Sequence, residues 1–97
     1  MNEPMTLSGL QANIQNKDHN PDNKIGYFYK LIEEVGELSE VIRKNSRVEE
    51  TGTIKGTIEE ELCDVLYYTI ALANVYQIDL EERFRQKEEL NKIKWGK

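Results

Sequence analysis

In IEEVGEL, residues 32–38, and EELCDVLYY, residues 60–68, carboxylates stand three residues apart within a strongly apolar helical pattern. The spaced acids are Glu34 and Glu37 in the first stretch and Glu61 and Asp64 in the second. Acidic groups beside apolar surface are costly unless a cation shares their site. The two stretches therefore predict a divalent metal centre between two helices.

The composition is typical of a helix-rich globular protein. The chain has 97 residues, of which 38% are hydrophobic and 32% charged, and this length predicts one domain over residues 1–97. Neither a basic leader nor a membrane-length apolar run is visible, so we expect a cytoplasmic protein that does not bind membranes. A net charge of −5 argues against nucleic-acid binding, which needs basic surface. A small polyanion remains possible because bound metal can reverse the local field.

Apolar periodicity predicts four helices, at about residues 5–17, 25–45, 58–76 and 80–93. A connector rich in turn-forming residues separates the first two, so residues 1–24 form a short helix and linker before a metal-binding core at 25–97. Thr57 and Asp79 are expected to cap the last two helices, and Glu60 completes a capping box with Thr57. The expected fold class is all-α, a four-helix bundle that oligomerisation completes because the chain is small.

The second helix carries an apolar stripe that we expect to be buried, with Glu34 and Glu37 on its flank near a helix–helix seam. The single cysteine, Cys63, is predicted to be a small buried residue of the third helix. The expected stripe of the second helix consists of Ile25, Phe28, Ile32, Val35, Leu38 and Ile42, and that of the third helix consists of Ile58, Leu62, Val65, Leu72 and Tyr76.

Two pairs of carboxylates on facing antiparallel helices can surround one or two ions with oxygen ligands. Such hard donors favour Mg²⁺, with Mn²⁺ as a substitute. A di-iron bundle typically adds a histidine in Glu-x-x-His. Here Asp64 occupies that fourth position and the single histidine, His19, lies in the connector, so iron is disfavoured.

The segments KLIEEVGELSEVIR, residues 30–43, and EEELCDVLYYTIALAN, residues 59–74, resemble the MazG-type all-α nucleoside triphosphate pyrophosphohydrolases. The family pattern EExxE, spacer, ExxD is met by Glu33-Glu34-x-x-Glu37 and Glu61-x-x-Asp64. The resemblance implies Mg²⁺-dependent hydrolysis between the α and β phosphates, giving a monophosphate and pyrophosphate. It also implies metal binding by Glu34, Glu37, Glu61 and Asp64, and accessory catalytic roles for Glu33 and Glu60, which could hold a metal-bound water.

Substrate contacts are expected from the last helix, where Lys87 and Asn91 match the Lys-x-x-x-Asn of similar proteins. Lys30 and Asn74 are further candidates for binding the nucleotide. The aromatic residues Phe28, Tyr67, Tyr68 and Tyr76 lie in core-like rows, so packing is favoured over base stacking, and the sequence does not identify the base.

Two other functions remain open. One is the phosphoribosyl-ATP pyrophosphohydrolase reaction of histidine biosynthesis, which belongs to a related all-α family with paired acidic motifs. The other is a noncatalytic nucleotide-binding or interaction protein with the same fold. For the leading hypothesis, a homodimer or homotetramer acting on nucleoside triphosphates is expected.

Overall fold

The computed structural model describes residues 4–96, and its secondary structure over that range is entirely helical. The main helices are α1 (Leu7–Lys17), α2 (Lys24–Lys44), α4 (Ile58–Val75) and α5 (Leu80–Trp95). A 3₁₀ turn (Pro21–Asn23) precedes α2, and one helical turn, α3 (Val48–Thr51), lies in the loop before α4. The all-α prediction and the four main helices are confirmed, whereas the apolar periodicity gave no signal for the short α3.

Side-chain caps define where three of the helices begin. The hydroxyls of Thr6 and Thr57 accept hydrogen bonds from the backbone N–H groups of Gly9 and Glu60, at 2.9 and 3.2 Å, and the carboxylate of Asp79 does the same for Glu82. Each cap satisfies an N–H group that has no partner within its helix. These caps fix the starts of α1, α4 and α5.

The principal packing is between α2 and α4; α1 packs on α4, and α5 packs mainly on α1. The buried core lies where these helices meet, with partly buried leucines of α1, α4 and α5 around it. Its buried hydrophobic members are Ile14, Tyr27, Ile70, Ala71 and Val75. No helix within residues 4–96 combines the length and apolarity needed to cross a bilayer.

The prediction that the α2 stripe is buried is wrong for this chain. Ile25, Phe28, Ile32, Val35 and Ile42 are between 43% and 57% exposed. Instead, α2 buries the flank that carries Tyr27 and Glu34. Periodicity identifies the apolar side of a helix but not which part of that side a neighbouring helix covers. In this protein, α4 covers one edge of the apolar side of α2.

The predicted stripe of α4 is also wrong in part, since Leu62 and Tyr76 are exposed. Cys63 is exposed as well, which corrects its prediction as a core residue. Successive helical residues are rotated by about 100°, so Cys63 lies roughly 200° around the helix from Glu61. Because Glu61 is buried, Cys63 points away from that side.

The connector between α1 and α2 is held by one carboxylate. Asp18 accepts hydrogen bonds from the hydroxyls of Tyr27 on α2, at 2.8 Å, and Tyr67 on α4, at 3.0 Å. The Tyr27 hydroxyl in turn accepts a hydrogen bond from the backbone N–H of Asn20. These contacts tie the connector to both of the helices that carry the acidic motifs.

Candidate metal centre

The α2–α4 seam brings the spaced acids together in two groups. Glu33, Glu34 and Glu37 form a group along α2, while Glu34, Glu61 and Asp64 form a group across the seam. Within each group, one carboxylate oxygen per residue lies within 4.8 Å of the others. Glu34 belongs to both groups, so the four acids predicted to bind metal form one continuous site.

Two neighbouring carboxylates in this site, which share a hydrogen bond, each bury one oxygen that has no partner. Glu34 and Glu61 are each only 7% exposed, and the Oε1 atom of each is buried with no hydrogen-bond donor. A buried oxygen left unpaired carries its full desolvation cost, which is larger for an ionised group. A divalent cation would supply the missing partner, and hard oxygen ligands suit Mg²⁺ or Mn²⁺.

Three acids in the site have pKa values that burial and neighbouring acidic groups raise. Burial, with the adjoining Glu34 carboxyl, raises the pKa of Glu61 to about 7. Burial and repulsion from Glu37 raise the pKa of Glu34. Burial and the charge of Glu60 raise the pKa of Asp64. These acids therefore hold protons more tightly than exposed carboxyl groups do.

The two acids expected to assist catalysis have different surroundings. Glu33 is exposed and forms an ion pair with Lys30, with 3.3 Å between Oε1 and Nζ. Glu60 accepts a hydrogen bond at 2.7 Å from the backbone N–H of Gly56, so one of its oxygens serves the start of α4. The predicted capping box is therefore wrong in one half: Thr57 caps Glu60, but the Thr57 N–H donates to the Ile54 carbonyl at 3.3 Å and not to Glu60.

Lys30 is the cation closest in sequence to the acids of α2. Its Nζ lies 5.6 Å from the centre of the Tyr68 ring, and its hydrogen bond to Glu33 raises the pKa of Lys30. The lysine is therefore positively charged at neutral pH and stands at one end of the acidic site.

The other predicted substrate residues lie elsewhere in the chain. Lys87 and Asn91 are on α5, which packs mainly on α1, and the Asn91 amide donates to Glu88 at 3.2 Å. Asn74 is buried, and its Nδ2 donates to the Gln11 carbonyl at 3.0 Å. Within one chain, the structure gives Asn74 a packing contact and places Lys87 and Asn91 away from the principal α2–α4 contact.

Sequence reasoning did not find the cleft beside Lys30. It has a volume of about 270 Å³ and is lined by the connector, the first turns of α2, and Tyr68 of α4. The turn-forming letters of residues 18–24 signal only a loop. Two tyrosine hydroxyls hydrogen-bond to Asp18 and so position that loop. Tyr67 is 49 residues from Asp18, so local sequence patterns do not show this contact.

Together, the all-α core and the cluster of carboxylates at the α2–α4 seam place the chain in a class of helical proteins whose acidic groups could hold a metal ion. The MazG nucleotide pyrophosphohydrolase domain matches residues 24–94, and the chain belongs to this family. The family resemblance inferred from the acidic motifs is therefore confirmed.

Solved structures of iMazG from Vibrio DAT 722 are similar to this chain. A C-terminally tagged form is 51% identical over 91% of this chain and 99% of its own, with a TM-score of 0.81. An N-terminally tagged form is 48% identical over 96% of this chain and 100% of its own, with a TM-score of 0.82. No curated protein shows significant similarity to the chain.

Proposed function

We propose that this protein hydrolyses nucleoside triphosphates between the α and β phosphates, releasing a nucleoside monophosphate and pyrophosphate. Family membership supports nucleotide pyrophosphohydrolase chemistry. The observation that carries the proposal is the buried pair Glu34 and Glu61, whose unpartnered oxygens face a shared site. Such a pair is unfavourable in a purely structural seam and favourable where a cation binds.

Glu34, Glu37, Glu61 and Asp64 would hold Mg²⁺, with Mn²⁺ as a substitute. When bound, the ion would activate water and offset negative charge on the phosphate oxygens. The carboxylates of α2 and α4 fix the position of this chemistry, because both helices are long and pack directly on each other. Their role is to orient the reacting phosphate.

Glu33 is the better candidate to accept the proton of the attacking water. Its side chain is 61% exposed at the open side of the site, whereas Glu60 already binds the Gly56 N–H group. Lys30, which pairs with Glu33 in the absence of substrate, would bind a phosphate oxygen. This exchange of partners would release the Glu33 carboxylate toward water.

We also propose a homodimer or a dimer of dimers. The apolar stripe of α2 is exposed except at Leu38, which is partly buried. Four of the five large hydrophobic residues of α5 are also exposed: Phe84, Leu90, Ile93 and Trp95. Exposed apolar surface of this kind marks association surfaces. Within one chain, α5 packs mainly on α1. In an oligomer, α5 of a second copy could bring its Lys87 and Asn91 to the phosphates.

The direct test is to incubate the protein with Mg²⁺ and a panel of nucleoside triphosphates, including phosphoribosyl-ATP. Phosphate release should require added inorganic pyrophosphatase, because pyrophosphate and not free phosphate is the expected product. Glu37→Gln and Asp64→Asn should lower kcat/KM by at least about a hundredfold, while Glu40→Gln, at an exposed site of α2, should not. Failure to release pyrophosphate from any substrate would refute the proposal, and a preference for phosphoribosyl-ATP would reassign the substrate.

A further inference from the structure

We propose that Asn23 is a specificity-determining residue that contacts the nucleoside part of the substrate, and that the absence of a side chain at Gly26 leaves the space that the Asn23 amide occupies. This inference rests on the proposed function, because it takes the acidic site as the place where the phosphates bind. It concerns the cleft beside Lys30, which none of the acidic motifs explains.

The cleft continues the acidic site along α2. Lys30 lines it and also pairs with Glu33, so the two sites share a boundary. At 1.5 Å rise per residue, Lys30 and Gly26 lie about 6 and 12 Å from Glu34 along the helix axis. With phosphates at the acids, the nucleoside end of a nucleotide would extend over this distance.

The size and lining of the cleft suit part of a nucleotide. Its volume is about 270 Å³, just below the range of roughly 300 to 1,000 Å³ that is usual for pockets holding a whole small molecule. Asn20 and Asn23 are among the residues that line it. A side-chain amide offers both donors and an acceptor, which is the complement that the edge of a nucleobase requires.

Neither asparagine caps a helix with its side chain. Both stand at helix N-caps, where asparagine usually accepts a hydrogen bond from the backbone, but neither side chain makes a capping bond. The Asn23 amide lies instead against Gly26. A Cβ atom added at Gly26 would stand 2.6 Å from Asn23 Oδ1, well inside van der Waals contact, so any larger residue there would displace the amide.

The surrounding connector is already fixed without a ligand. The Asn20 backbone N–H donates to the Tyr27 hydroxyl at 2.9 Å, and this hydroxyl donates to Asp18. Anchoring of this kind lowers the ordering cost of binding. The Asn23 backbone N–H donates to the Asn20 carbonyl at 3.0 Å, so the residue that carries the free amide is linked to this anchored turn.

The test compares wild type with Asn23→Ala, Gly26→Ala and Gly36→Ala. Gly36 is a matched control, since it also lies within α2 but an added Cβ meets no atom within 4 Å. Binding of α,β-imido deoxynucleoside triphosphates carrying each of the four bases would be measured by calorimetry with Mg²⁺. Mn²⁺ binding without nucleotide and thermal melting would report on the acidic site and the fold.

Wild type should discriminate between the strongest and weakest bases by about tenfold or more, as expected for a hydrogen bond to the base. Asn23→Ala and Gly26→Ala should reduce this ratio to about threefold or less without changing Mn²⁺ affinity, and Gly36→Ala should keep it. A wild type that binds all four analogues alike or none of them, or an Asn23→Ala variant that keeps the wild-type ratio, would overturn the inference. A failure of the proposed function would give a different result. The protein would then bind the analogues with base discrimination but would release no pyrophosphate from the hydrolysable triphosphates of the same bases.

Discussion

Replacing Glu61 by glutamine is expected to stabilise the metal-free protein at pH 8 while abolishing its stabilisation by Mg²⁺ or Mn²⁺. Glu61 is 7% exposed, and its Oε1 has no partner. Ionised Glu61 lies beside Glu34 and close to Asp64. Glutamine has nearly the same shape but no charge, so it relieves this repulsion and removes one metal ligand.

The magnitude follows from the pKa of Glu61, which burial raises from 4.5 to about 7. At 1.36 kcal/mol per pKa unit, the ionised group costs the folded state about 3 kcal/mol, or about 2 kcal/mol after allowance for solvent at the open side of the site. A raised folded-state pKa gives stability that is complete below the unfolded value of 4.5 and lost as pH rises through about 7. Metal-free wild type should therefore be less stable at pH 8 than at pH 5, and Glu61→Gln should remove most of that difference.

Urea unfolding at fixed protein concentration, in EDTA and at both pH values, measures this effect. Glu40→Gln is the control, because Glu40 is exposed and makes only surface ion pairs with Arg43 and Lys44. With cation at 100 times its Kd, wild type should gain about 2.7 kcal/mol and Glu61→Gln much less. The reasoning is refuted if Glu61→Gln destabilises the metal-free protein equally at pH 5 and pH 8.

Two further predictions concern the polar contacts that position the site. Asp18→Asn leaves one acceptor oxygen for two tyrosine hydroxyls, so the free energy of unfolding should fall by about 1 to 2 kcal/mol. Burial and Asp18 raise the pKa of Tyr67 to about 12. In the variant, a phenolate titration should give a lower pKa for Tyr67. Asp22→Asn, at an exposed position of the same connector, should change neither quantity. Asn74→Ala removes the donor to the Gln11 carbonyl and should cost about 1 to 3 kcal/mol in urea unfolding with unchanged Mn²⁺ affinity. A large loss of Mn²⁺ affinity in that variant would place Asn74 in the site after all.

The elements of the fold that local chemistry determines could be predicted from the sequence. Thr57 and Asp79 cap α4 and α5 as expected, because an N-cap depends on only a few neighbouring residues. The spacing of Glu34 to Glu37 and of Glu61 to Asp64 placed each pair on one side of its helix, and the structure brings the two pairs together.

Long-range contacts escaped prediction. The face of α2 that meets α4 is determined by the fit between the surfaces of the two helices. As a result, Val35 is half-exposed although a core position was expected for it, and Glu34 is buried. The Asp18 contacts, which join the connector to α2 and α4, leave no periodic trace in the sequence. These features arise from tertiary packing, which intrinsic helix patterns do not encode.

Glu34 is the single side chain common to both groups of acids. In the terms of thermodynamic linkage, cations bound to the two groups would share one ligand, so the affinity of either position would depend on occupancy of the other. Linkage is reciprocal: whatever one ion does to the affinity for the second, the second does equally to the first. Cations at the two groups would thus be coupled through Glu34. Changes at Glu33 or Asp64, each of which belongs to one group alone, would alter that coupling and leave the shared ligand in place.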